Sequence, residues 1–159
     1  MTMKHKSSII FLLQLFLFLG SWDARAEEVA IAVIVNPANP VTNISFADLR
    51  RIFSGEKRTW PGGTPIKLIV RGPGAPEREA LLRLLGISES QYKEFWTTQV
   101  FRGEAQSEPI LVPSFGMKKE AVTALRGGIA MVEASKVKPD MKVVKIDGLL
   151  PGEPGYKLH

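Results

Sequence analysis

Cysteine is absent from the chain, and histidine occurs only at His5 and His159. No disulfide, thiolate nucleophile or sulfur ligand for zinc can form, and an oxidising compartment is tolerated without cross-links. Without cysteine there is also no lipid-modified N-terminus. A Ser/His/Asp or Cys/His site needs a positioned imidazole, whereas a side chain at the last position is poorly held. His159 is therefore expected to belong to a disordered end. No Asp-x-Asp run offers a calcium or magnesium cage. The 21 Lys/Arg and 16 Asp/Glu give a formal charge of +5, but they are scattered, with no basic run and no basic-aromatic interleaving. Nucleic acid is therefore not an expected partner. These absences argue for a non-catalytic chain with no metal and no cofactor.

What is present begins with an export signal. Lys4 and Lys6 precede an apolar stretch over 9–19, broken only by Gln14, and Ala24-Arg25-Ala26 offers a small-x-small cleavage site. The stretch is shorter than the roughly 20 residues a spanning helix needs. Cleavage leaves residues 27–159, one compact domain in the periplasm with no stable membrane insertion.

Within that domain, "VAIAVIV" (29–35) is a β-branched run suited to a strand buried on both faces, and "NPANP" stops it. Ser45 and Asp48 resemble a capping box, and Leu49, Ile52 and Phe53 give the following helix one apolar face. "RTWPGGTP" is a turn in which Trp60 reads best as a half-buried anchor, and "IKLIVR" (66–71) is a second buried strand. A helix from about Pro76 buries Leu81, Leu82, Leu84 and Leu85 and closes at Gly86. Ser88 and Gln91 form another capping box ahead of Tyr92, Phe95 and Trp96, which read with Phe101 as packing residues. "PILVP" is a short extended piece. Ser114 caps a helix carrying Met117, Ala121, Val122 and Leu125. "IAMVE" and "KVVKID" are the last strands, and residues 148–159 form a turn-rich tail over the surface. Strands alternating with helices predict an α/β fold, a mainly parallel sheet with helices on both faces. In such sheets ligands lie beyond the carboxyl ends of the strands, where Asn36 is a candidate beside its ordinary reading as a turn residue.

"VRGPGAPEREALLRLLG" (70–86) has the layout of a strand end, a Gly/Pro loop and a helix start, which often holds an oxyanion. It lacks the Lys-Ser/Thr ending of a P-loop and the dinucleotide fingerprint. The candidate anion site is Arg71, Gly72, Gly74 and Ala75, with Arg78 and Ser114 nearby. Glu77 and Glu79 already complement the helix dipole there.

The segment "VNPANPVTNISFADLRRIFSGEKRTWPGGTPIKLIVR" resembles the second lobe of periplasmic phosphate-binding proteins of ABC transporters, through Val35-Asn36, Pro40, Ser45, Leu49, Ile52-Phe53, Gly55, Trp60, Gly63 and Arg71. "GGIAMVEASKV" is similar to that family's Gly-Ala-Ile-Gly-Tyr-Val strand, with Ala130-Met131 in place of Gly-Tyr. Trp96, Phe101 and Gly103 match a shorter, single-lobe subgroup. The resemblance covers residues 29–137. It implies a single periplasmic-binding-protein-like lobe that takes part in transport by binding substrate. It also implies a grip on phosphate by the strand-end Arg and a Ser-Gly-Thr four residues later. Arg71 keeps its place, but Ala75, Pro76 and Glu77 stand at the other three. The hydroxyl is lost at 75, the N–H at 76, and a negative charge enters at 77. The resemblance thus carries two expectations: a weak binder of phosphate or another small anion, or a periplasmic accessory module that binds a periplasmic or membrane protein instead.

Overall fold

The structure is a computed structural model and describes residues 28–159. The export signal and its cleavage site lie outside the described residues. Six strands form one sheet: β1 (Ile31–Val35), β2 (Asn43–Ile44), β3 (Lys67–Arg71), β4 (Ile110–Val112), β5 (Gly128–Glu133) and β6 (Lys142–Ile146), in the order β2-β6-β1-β5-β3-β4. β3 is parallel to β4 and β5, and β2 to β6, while β1 is antiparallel to both β5 and β6. Five strands therefore share one direction and β1 alone runs against them. The sheet is mainly parallel, as its alternation of strands and helices predicts.

β1 is the centre of the core. All five of its residues are buried, and they alternate between two apolar clusters as the period of a strand requires. Ile31, Val33 and Val35 face one cluster with Leu49, Phe53, Leu81 and Trp96. Ala32 and Ile34 face the other with Ile69, Val122 and Val132. Helices α1 (Phe46–Phe53), α2 (Pro76–Leu85) and α3 (Glu89–Phe101) supply the first cluster, and α4 (Phe115–Ala124) covers the opposite face.

The helix starts follow their local chemistry. Ser45 Oγ accepts from Asp48 N–H at 3.0 Å, but the Asp48 carboxylate turns to Arg51 and Lys57, so only half of a capping box forms. Ser88 and Gln91 complete theirs, at 3.2 and 2.9 Å. Gly86 ends α2 in the left-handed region at φ 70°. Trp60 is buried, and its Nε1 donates to Gly127 O at 3.1 Å, anchoring the turn as its setting predicts. Gly127 also lets the chain at Pro65 approach closely: a Cβ there would lie 1.7 Å from Pro65 O.

Four expectations require correction. Phe101 does not pack; it is 90% exposed, because α3 ends there and its last turn leaves the core. Met117 also faces solvent, and Lys118 takes the inward position on α4. "IKLIVR" is buried only at Ile69 and Val70, because the strand is second from the edge of the sheet and is less covered at its start. The chain end is ordered, not the disordered end expected for His159, and the turn-rich tail packs on the surface as expected. Tyr156 and Leu158 are buried, Tyr156 Oη donates to Ile31 O at 2.6 Å, and Ile31 N–H donates to Leu158 O at 3.0 Å. Even His159 is held, since its carbonyl accepts from Arg83 Nε at 3.2 Å.

Candidate functional site

β3 ends at Arg71, the loop 72–75 follows, and α2 begins at Pro76. The layout of an anion cradle is therefore present at the carboxyl end of the sheet. Gly72 and Ala75 close the loop on themselves, Ala75 N–H reaching Gly72 O at 3.4 Å, while the Gly74 N–H donates to no backbone carbonyl and Gly74 is exposed. Pro76 sits in the first turn, where its missing N–H costs nothing, and Ala75 provides no side-chain cap.

The inner part of the cradle is filled by the protein. Glu77 is buried, and its Oε1 accepts from Lys118 Nζ at 2.5 Å. Lys118 is fully buried and also donates to Met131 O of β5 at 2.8 Å. Glu77 belongs to α2 and Lys118 to α4, so the pair joins helices from opposite faces across the carboxyl end of the sheet. The void left between Arg71, Glu77, Met131 and their neighbours is about 10 Å³. That is room for one water at most.

The charges reinforce this arrangement. Burial works to raise the Glu77 carboxyl, but the Lys118 hydrogen bond, Glu77's own backbone N–H and the charges of Lys118 and Arg71 outweigh it and hold the pKa below the usual value. Burial holds the Lys118 ammonium below the ordinary lysine range, against the hydrogen bond and charge of Glu77. A buried pair of this kind is stable only while both members are present. Glu79, the other acid of the first turn, stays exposed.

The remaining candidates are placed elsewhere. Arg78 is buried beneath α3. Its Nε and Nη2 donate to Glu89 at 2.9 and 2.6 Å, and its guanidinium lies 3.9 Å from the centre of the Tyr92 ring. Those donors are turned to a carboxylate of the fold and away from the loop. Ser114 is exposed and accepts from Met117 N–H at 3.2 Å as the cap of α4. Asn36 lies at the other end of the sheet, because β1 runs against its neighbours. Its Nδ2 donates to Val122 O and Thr123 O at 3.0 and 2.8 Å, tying off the last turn of α4. Of the predicted residues, Arg71, Gly72, Gly74 and Ala75 stay together as the continuous strand end and loop ahead of α2.

Lys118 is the site residue that sequence reasoning missed. A signal exists: Lys118, Ala121, Val122 and Leu125 stand at i, i+3, i+4 and i+7, which is the inward stripe of a helix. A lysine in that stripe implies a buried carboxylate partner, and Glu77 is one of the few acids at a strand-end loop.

Residues 28–155 match the family model described as PBP superfamily domain. Among curated proteins none matches. Several solved structures share the fold, three of them as follows. One, from Clostridium perfringens and holding bound phosphate, is 22% identical with a TM-score of 0.61, over 76% of this chain and 46% of that one. An ABC-type phosphate transport receptor from Vibrio cholerae is 20% identical with a TM-score of 0.61, over 77% and 48%. PstS from Borrelia burgdorferi is 20% identical with a TM-score of 0.58, over 77% and 49%. The chain thus spans about half the length of these solved structures.

Proposed function

We propose, for a chain that belongs to the PBP superfamily domain family, a non-catalytic periplasmic binding role in which its own carboxylate occupies the inner part of the oxyanion cradle. Arg71, Gly72, Gly74 and Ala75 form the outer mouth, and a phosphate-like ion meets them only weakly. The observation that carries this reading is the Glu77–Lys118 ion pair at 2.5 Å at the N-terminus of α2, where a bound anion would otherwise meet the helix dipole. Glu77 repels a second anion, and the void of about 10 Å³ gives it no room. Support for a phosphate-like ligand comes from the names of the similar solved proteins.

Calorimetric titration with phosphate tests this reading on two proteins: the wild type, and a variant carrying Ala75→Ser, Pro76→Gly and Glu77→Thr together. The wild type is expected to bind at millimolar strength or weaker. The triple variant regains a hydroxyl pair and an N–H and loses the competing charge. Because Lys118 loses its buried partner, Lys118→Met is added to the variant, and its fold is checked by circular dichroism before titration. It is expected to bind at least about tenfold tighter. Micromolar binding by the wild type would overturn the self-filled cradle. No binding by either protein would remove the anion and leave the accessory, protein-binding module.

A further inference from the structure

A groove of about 540 Å³ opens at the opposite end of the sheet, against the amino ends of β3 and β4. Its volume lies in the range of small-molecule sites, roughly 300–1,000 Å³. The floor is apolar: Ile66, Leu68, Trp96, Ile110 and Leu125 all line it. Its walls are built by hydrogen bonds. On one side the turn after α1 is pinned by Ile66 N–H to Arg58 O at 2.8 Å, Trp60 N–H to Thr64 O at 2.8 Å and Lys67 N–H to Gly127 O at 2.9 Å. On the other, the chain leaving α3 is pinned by Ala105 N–H to Gln99 O at 3.0 Å. Gly55, at φ 75°, packs closely on the edge of the largely buried Trp96 ring, since a Cβ there would press on it at 2.8 Å.

The rim is positively biased. Lys57, Arg58 and Lys67 line it against a single acid, Glu108. Lys57 is held by Asp48 at 2.9 Å, and Arg58 Nε donates to Gly55 O at 2.8 Å. Glu108 accepts from the Thr97 hydroxyl at 3.4 Å. Among the described residues Lys67 forms no ion pair and stays exposed. An apolar floor with an uncommitted cation at its edge suits a ligand that is apolar along its body and anionic at one end.

We infer that this groove is a second binding site, separate from the cradle, for a small organic acid with an apolar body. Its body lies on Trp96 and Ile110, and its carboxylate meets Lys67. The inference does not depend on whether phosphate binds at Arg71, since the two sites lie at opposite ends of β3.

The test is a titration of the ¹⁵N-labelled protein with 4-phenylbutyrate and with its neutral amide. Saturable shifts are expected at the Trp96 indole N–H, Gly55 and Ile110, with a dissociation constant near or below about 1 mM for the acid. The amide is expected to bind about fivefold more weakly, and Lys67→Glu should weaken the acid by about the same factor or more without weakening the amide. Ala105→Trp, which fills the groove, should abolish the shifts. If that variant fails to fold, the exposed Lys67→Glu change carries the test alone. Absence of saturation up to about 5 mM, equal binding of acid and amide, or shifts centred on Arg71 and Gly72 would each overturn the proposal.

Discussion

At the carboxyl end of β3 a lysine and a glutamate fill the space above the strands, while at the amino end of the same strand a groove of about 540 Å³ stays open. Both ends lie between the same two helix layers. They differ in what meets there. At the carboxyl end the first turn of α2 and the first turns of α4 converge, and long polar side chains can cross from one layer to the other. At the amino end a turn and the irregular chain after α3 meet instead, each held in place by backbone hydrogen bonds. An end closed by a desolvated ion pair is committed to stability. An end walled by backbone and floored by apolar side chains keeps open space.

Three perturbations test the difference between the two ends. The largest effect is expected for Lys118→Met, which leaves the Glu77 charge buried without a partner and should cost about 3–5 kcal/mol in urea denaturation. Combining it with Glu77→Gln should restore most of that loss, because an amide and a thioether can replace a buried ion pair of similar volume. A cost no greater than that of a surface substitution would show that the closed end is not held by the pair. Next is Gly127→Ala, at the open end. Its Cβ would collide with Pro65 O, and thermal unfolding should report a loss of about 2–3 kcal/mol as the wall of the groove shifts.

The smallest effect is the acid dependence of the pair. The Glu77 pKa is lowered in the folded protein from an ordinary value of 4.5. The unfolded chain then binds the proton more readily, so this contribution is full above about pH 4.5 and disappears as pH falls through the lower folded value. Stability measured against pH should therefore decline on the acid side in the wild type. In Lys118→Met the burial of Glu77 raises its pKa instead, and the sign should reverse: the variant gains relative stability as the pH falls.

Several parts of this arrangement were legible in the order of residues. Pro76 followed by Glu77, and Gly86 eight residues after Arg78, mark the start and stop of α2, and Ser88 with Gln91 marks the start of α3. The β-branched run at 29–35 reads directly as a strand buried on both faces, and the strand observed is 31–35. The cradle mouth from Arg71 to Ala75 is continuous in the chain and so was visible in the sequence. The lysine behind it is forty-one residues from Glu77 and was not. Asn36 is a similar case. Its place after a strand suggested the carboxyl end of the sheet, but the sheet reverses β1, and the amide ends up closing α4. The groove is assembled from segments around residues 52–68, 96–110 and 125, and no one of these announces a cavity.

Residue order alone set the helix starts and stops and the strand character of β1, since each rests on interactions within a few residues. The direction of β1, the acid that neutralises Lys118 and the place left unfilled were settled by the packing of the sheet. Those outcomes depend on desolvation and packing between segments far apart in the chain, and such energies exist only once the sheet has brought the segments together.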